Sequence, residues 1–318
     1  MSKNTKKKDK NSNHKTKKNI IKKENKDILE DTKWRMMRLA GSGRRKLIDY
    51  VIAIPSYKRA ETLRDNTLTL LRRQKIPPNK IYIFVGNQDE YEIYKKVLPK
   101  YYNRIVVGVM GISNIRNFIT DYFGKGQYIF NMDDDIIDLL ELDEEKDMKS
   151  KKTAKTHKLD KVGDLENFIN KGFKECRKTG FRLFGIYPAS NPFFMKKRIT
   201  YDLRYIVGSC WGCINDKKLK VTMDNKEDYE RTLKYYRKYG GVIRFENITI
   251  ITQNYKKSGG RIKNIQTEEN IYNSALKLEK MFPDLCRLYL GKKSGYAELK
   301  LKDKDKIYSK YDTIYKYL

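Results

Sequence analysis

Short apolar runs that stop on polar clusters recur through the first half of the chain. Ile48-Asp49-Tyr50-Val51-Ile52-Ala53-Ile54 reads as a buried strand and stops at Pro55-Ser56-Tyr57-Lys58-Arg59. Glu61 to Arg73 follows with helical spacing, Leu63, Leu68, Leu70 and Leu71 falling on one side. Lys80 to Val85 predicts a second strand, closed by Gly86-Asn87-Gln88-Asp89-Glu90 and a helix from about Tyr91 to Leu98. Arg104 to Val109 predicts a third strand, and Ile112 to Phe123 a third helix. A fourth run, Gln127 to Met132, ends in Asp133-Asp134-Asp135. Strand–helix units of this kind build a parallel sheet with helices on both faces. The clusters at Pro55 to Arg59, Asn87 to Glu90 and the acidic run all follow strands, which gathers them on one sheet edge. That edge is where open α/β sheets bind ligands.

The second half is less regular. Glu141 to Asp160 is charged, poor in large apolar residues, and reads as a mobile loop. Val162 to Lys178 predicts a helix with Leu165, Phe168, Ile169, Phe173 and Cys176 on one side. Phe181 to Tyr187 and Leu203 to Val207 read as strands, separated by the loop Pro188 to Phe194 with its two aromatic residues. Gly208 to Ile214 is small and tight. Lys226 to Tyr239 predicts a helix ended by Gly240-Gly241, followed by short strands at Val242 to Phe245 and Ile248 to Ile251. A basic loop, Lys256 to Arg261, precedes a stretch that is helical from Thr267 to about Leu290. Ahead of the first strand, Met1 to Asp27 is a basic, apolar-poor arm and Ile28 to Leu39 a short helix. The expected division is an arm and helix over residues 1–46, an α/β domain over 47–262, and a helical extension with a basic tail over 263–318.

Composition adds a partner class. Lys and Arg number 70 against 40 Asp and Glu, a formal net charge of +30, which favours DNA or another polyanion through phosphate contacts. A lysine-rich solvated surface, set by biased codon usage, would give the same figure. No apolar run approaches the roughly 18–20 residues of a membrane span, and the basic N-terminus lacks an apolar signal core. Four Cys fit a reducing compartment. The expectation is a soluble intracellular protein, cytoplasmic or nuclear.

Three adjacent carboxylates repel one another unless something positive sits among them. Asp133 and Asp135 can hold a divalent metal whose shell a substrate phosphate completes, or the run can be a solvated acidic turn. As metal ligands they would suit a nucleotide-diphosphate sugar, leaving Asp134 for ribose or sugar. Pro55, Ser56, Tyr57 and Arg59, with Asn87 and Asp89, would frame the base. Arg116 and Asn117, early in the third helix, can reach the donor's phosphates or ribose; a salt bridge is the other reading of Arg116. Glu227 and Asp228 open a helix and suit its dipole. Functionally, a carboxylate facing an acceptor hydroxyl serves as general base, with Asp228 the preferred residue. One base without a second carboxylate nucleophile means inversion at the anomeric carbon. Trp211 can stack on a sugar or base or fill the core; Asn191 and Phe193 belong to the aromatic loop expected to meet an acceptor. Cys210-x-x-Cys213 is half a zinc site and reads better as small residues packed under a loop. His14 and His157 lie in basic segments, and there is no Walker loop or dinucleotide fingerprint.

The order of Val51 to Arg59, Gly111 to Asn117, Met132 to Asp135 and Glu227-Asp228 resembles GT-A glycosyltransferases. Ile81 to Val85, Arg116 to Ile119, Asn191 to Phe194, Gly208 to Ile214, and Glu227-Asp228 followed by Gly240 to Arg244 are similar to the TET-associated group that includes the base J glucosyltransferases. The resemblance covers about Asp49 to Arg261. It implies a GT-A open sheet, a UDP-glucose donor, Mn²⁺ or Mg²⁺ at the acidic run, inverting transfer, and hydroxymethylated pyrimidines in DNA as acceptors. A protein, glycan or small-molecule acceptor, or a non-catalytic nucleic-acid binder on this scaffold, are the competing expectations. One departure stands out. Many GT-A enzymes complete the metal shell with a late His, and this chain has none after His157, so water, Asn254 or phosphate oxygens would have to substitute.

Overall fold

The chain divides into two units between Leu47 and Ile48. The computed structural model describes residues 48–143, 158–253, 267–290 and 297–302, all in the second unit. The expected arm, the helix at Ile28 to Leu39, His157, Asn254 and the basic loop at Lys256 to Arg261 lie outside the described residues.

The four apolar runs form β1 (Tyr50–Pro55), β2 (Ile81–Val85), β3 (Arg104–Val107) and β4 (Tyr128–Met132). Between them lie α1 (residues 60–73), α2 (Gln88–Val97) and α3 (Ile112–Tyr122). Asn87 caps α2 by accepting from the Glu90 N–H at 2.9 Å. Within α1 the α-helix widens to a π turn over Arg64–Leu68. The chain continues through β5 (Ile136–Asp143), β6 (Lys158–Lys161), α4 (Leu165–Thr179), β7 (Leu183–Ile186) and β8 (Ile199–Thr200). Then come β9 (Cys210–Ile214), α5 (Glu227–Tyr239), β10 (Ile243–Phe245) and β11 (Ile248–Thr252). It closes with α6 (Glu268–Met281), β12 (Cys286–Tyr289) and β13 (Glu298–Leu301).

Eight strands make the central sheet in the order β3-β2-β1-β4-β9-β7-β10-β8. β3, β2, β1 and β4 pair in parallel, as their helical crossovers require. β9 runs antiparallel to both β4 and β7, β10 is parallel to β7, and β8 closes the edge antiparallel. The reversal at β9 has a positional result. The carboxyl ends of β1 to β4, β7 and β10 share one edge, and β9 begins at that edge. Segments 55–59, 86–90, 133–135, 187–198 and 208–209 therefore converge there.

In register, Gly212 of β9 stands between Phe130 of β4 and Phe184 of β7. The two rings meet at 5.9 Å with 24° between their planes. A Cβ on Gly212 would lie 2.0 Å from Phe184 Cε1, so only glycine fits beneath that ring.

Four readings are corrected. Gly208 to Ile214 is not merely a tight connection: Cys210–Ile214 is a central strand. Leu203 to Val207 makes no sheet pairing; Leu203 and Ile206 are buried from an irregular segment instead. Glu141–Asp143 and Lys158–Asp160 pair as strands, because Leu140 and Leu142 alternate inward and β11 needs β5 as partner; residues 144–157 lie outside the described part. The last helix stops at Met281, just ahead of Pro283, and Cys286–Tyr289 pairs with β13.

Candidate active site

β4 delivers the acidic run to the shared edge, and the surrounding elements fix it. Thr67, in the π turn of α1, donates to the Asp133 carbonyl at 2.7 Å and accepts from the Ile136 N–H at 3.0 Å. The π turn thus places one hydroxyl on both sides of the acidic turn. Ser209, just before β9, accepts from the Asp133 N–H at 2.9 Å, and the Gln253 N–H donates to the Asp135 carbonyl at 3.1 Å.

The carboxylates have separate partners. Arg116 on α3 pairs with Asp133 Oδ1 at 2.8 Å. Arg59 reaches Asp134 at 3.1 Å and Asp135 at 2.9 Å. Ser56 donates to Asp134 Oδ2 at 2.6 Å and meets the Tyr94 hydroxyl at 2.6 Å. Tyr94 in turn accepts from the Arg59 N–H, while Glu90 accepts from the N–H of Lys58, whose backbone is left-handed at φ 54°. Burial pushes the Asp134 carboxyl up to about 7, opposed by Arg59 and Ser56 and aided by the charges of Asp133 and Asp135. Burial also raises Asp135.

The second acidic centre opens α5 on the other side of Gly208. Glu227 is buried between Arg231 at 2.5 Å and Arg116 at 3.8 Å. Burial raises its carboxyl, and the two guanidinium groups oppose that rise. Asp228 is half-buried, accepting from the Tyr229 N–H at 2.9 Å and from the Tyr205 hydroxyl. Arg116 therefore spans both centres. Burial works against its charge, but Asp133 and Glu227 outweigh burial and raise its pKa. Its Nη2 also donates to the Gly208 carbonyl at 3.0 Å, which Trp211 Nε1 shares at 2.9 Å.

The other expected residues fall into two groups. On the edge, Pro55 ends β1, and Tyr57, Asp89, Asn191 and Phe193 are exposed. The Asn191 side chain accepts from the Phe193 N–H at 3.1 Å and shapes the turn, and Phe193 and Phe194 are each 58% exposed. Trp211 and Asn117, in contrast, are engaged within the fold. Trp211 is 6% exposed, its ring covered by the Arg231 guanidinium at 3.9 Å. Asn117 clamps the Val221 backbone with bonds of 2.8 and 2.9 Å.

Thr67, Tyr94, Tyr205 and Met110 escaped the sequence reading, and Gly86 was read only as part of a turn. A Cβ at Gly86 would meet Met110 Cγ at 3.0 Å and Tyr57 Cδ2 at 3.3 Å. A glycine just after a strand was the signal the sequence offered for that slot; its two flanking side chains come from distant positions.

Among the described residues no three His, Cys, Asp or Glu side chains gather to hold a metal ion by themselves. Two carboxylates nevertheless fit a hard cation in part. Asp133 is 31% exposed at its side chain. Asp135 Oδ1 is buried and takes no hydrogen bond from another residue. An oxygen-liganded Mn²⁺ or Mg²⁺ bound here would draw further ligands from phosphate or water.

An acidic turn thus lies on the carboxyl edge of the central sheet, and Arg116 links it to a second carboxylate pair beside Gly208. The model of the TET-associated glycosyltransferases matches residues 50–261, and the chain belongs to that family. Among solved structures, the mannosyltransferase PcManGT from Pyrobaculum calidifontis, in complex with GDP-Man and Mn²⁺, aligns at 12% identity and TM-score 0.46, over 80% of this chain and 71% of that one. A 4-diphosphocytidyl-2C-methyl-D-erythritol synthase from Anaerococcus prevotii aligns at 15% identity and TM-score 0.35, over 66% of this chain and 95% of that one. No curated protein matches the chain. Among the described residues no helix is long and apolar enough to cross a membrane.

Proposed function

We propose that this glycosyltransferase moves glucose from UDP-glucose to the hydroxymethyl group of a modified pyrimidine in DNA, with inversion at the anomeric carbon. The observation that carries the reading is Arg116, which ties Asp133 to the Glu227–Asp228 centre across Gly208. That bridge supports a donor side and an acceptor side held a short distance apart.

On the donor side, Tyr57 and Met110 flank the bare backbone of Gly86, a slot that suits a planar base. Asn87 and Asp89 follow it in the chain, and the buried Asp134 and Arg116 act on the donor side through their partners Arg59, Ser56 and Asp133. Asp133 and Asp135 would hold Mn²⁺ or Mg²⁺, which when bound offsets the charge developing on the leaving diphosphate. On the acceptor side, the hydroxyl oxygen attacks the anomeric carbon as the bond from that carbon to the diphosphate oxygen breaks. The hydroxyl proton passes to Asp228. Glu227, paired to two arginines, holds Arg116 and Arg231 in place.

Phe193 and Phe194, followed by exposed Lys196, Lys197 and Arg198, support a nucleic-acid acceptor, since rings stack on bases and cations meet phosphates. A base inside a duplex would be flipped out to reach Asp228.

The test is turnover of UDP-glucose by the full chain with Mn²⁺, with and without DNA containing hydroxymethyluracil or hydroxymethylcytosine. Labelled sugar should appear on the modified DNA, and Asp133→Asn should lower turnover at least about 100-fold while thermal unfolding changes little. Transfer to a glycan or protein instead would replace the acceptor. Absence of nucleotide release from any UDP- or GDP-sugar would leave only a binding protein.

A further inference from the structure

The group that aims Asp228 comes from outside its own helix. We infer that Tyr205 is a positioning residue for the base, an inference that rests on Asp228 being that base. The Tyr205 hydroxyl donates to Asp228 Oδ2, while Oδ1 accepts from the Tyr229 N–H at 2.9 Å. Each carboxylate oxygen is thus held by one donor and keeps lone-pair capacity for an incoming hydroxyl. The Tyr205 ring stacks on Tyr229, centroids 4.3 Å apart and planes 23° apart, so the phenol cannot swing away without losing that face.

The segment carrying Tyr205 is itself fixed. Its carbonyl accepts from Arg244 Nη1 at 3.2 Å, and Arg244 is paired with Glu246. The next residue's N–H donates to Thr232 Oγ1 at 3.3 Å, and that hydroxyl donates to the Asp228 carbonyl at 2.7 Å. The irregular segment therefore grips α5 at the turn that bears the base. Holding a reacting group to within about 10–20° is what such support supplies.

The chemistry favours a donor role for the phenol. Burial, and then the Asp228 charge, hold the Tyr205 pKa well above 10, so it stays protonated at any working pH. The other groups around the pair are Arg116 from α3, Glu227, Tyr229 and Arg231 from α5, and, beside Tyr229, Glu298 from β13.

The experiment compares Tyr205→Phe, Asp228→Asn and the unchanged chain, using UDP-glucose with Mn²⁺ and duplex DNA containing hydroxymethyluracil. Turnover is read both as transfer to the DNA and as hydrolysis of UDP-glucose by water. Tyr205→Phe keeps the ring on Tyr229, so thermal unfolding should change little. Its kcat should fall about tenfold with the KM for UDP-glucose unchanged. Transfer to the DNA should fall further than hydrolysis of UDP-glucose by water, since the docked acceptor hydroxyl depends on where the carboxylate points. Placing 3-fluorotyrosine at position 205, a phenol of similar shape that keeps the donor, should restore kcat to near that of the unchanged chain. An equal fall in transfer and hydrolysis, no recovery with 3-fluorotyrosine, or wild-type kinetics in Tyr205→Phe overturns the positioning role while leaving the base in place. Normal turnover by Asp228→Asn overturns the base assignment itself, and the inference with it.

Discussion

Gly208 sits where two acidic side chains and two donors meet. A Cβ there would lie 3.0 Å from Glu227 Oε1 and 3.4 Å from Asp228 Cβ. Its carbonyl meanwhile holds Arg116 and Trp211. An alanine has to displace the carboxylates by a few tenths of an ångström, at a cost of about 1–3 kcal/mol. Gly208→Ala should therefore lower turnover by about tenfold or more, a loss of alignment exceeding the loss of stability. Steady-state kinetics beside thermal unfolding check this; wild-type turnover would mean that Asp228 tolerates the shift. Arg116 shows how much a single residue discloses on its own. Its place early in a predicted helix was readable, but the choice between a donor contact and a salt bridge needed Asp133 and Glu227 beside it. Tyr94 and Tyr205 gave no local sign at all. Each acts through one hydroxyl on a partner dozens of positions away or across an irregular segment.

Among the elements, β1 to β4 were legible because a buried parallel strand is a nearly continuous apolar run closed by turn residues. The gathering of Pro55 to Arg59, Asn87 to Glu90 and Asp133 to Asp135 on one edge followed from that order alone. β9 was not legible, for a physical reason. Its glycine and cysteines are small because Phe130 and Phe184 close over Gly212, and a run of small residues carries little strand signal. The π turn of α1 was hidden too, since apolar spacing passes through it unbroken while Thr67 alone turns to the acidic run. The closure of Phe184 on Gly212 can be tested at this scale. Gly212→Ala places a Cβ 2.0 Å from the ring and should destabilise the fold by about 3 kcal/mol or more. Adding Phe184→Leu should recover part of that loss, seen as a coupling energy of about 1 kcal/mol in a denaturation cycle. Purely additive effects would show that the strand, not the ring, sets the limit.

At the scale of the molecule, a chain with a net charge of +30 carries a site whose working groups are carboxylates. The exposed cations Lys196, Lys197 and Arg198 adjoin the aromatic turn on the edge that holds those carboxylates. Replacing all three with alanine should weaken DNA binding and reduce the slope of log affinity against log salt by about three, with donor hydrolysis unchanged. Titration between about 50 and 200 mM salt reads it, and an unaltered slope would move the polyanion contact elsewhere. The shared cation gives the molecule one more property. Arg116 serves Asp133 at 2.8 Å and Glu227 at 3.8 Å, so a change of charge at either carboxylate alters the field at the other. Such a link is a coupling free energy, and it has the same size read from either end. Whatever factor an occupant of the Asp133 side applies to affinity on the Asp228 side, the reverse experiment must return the same factor.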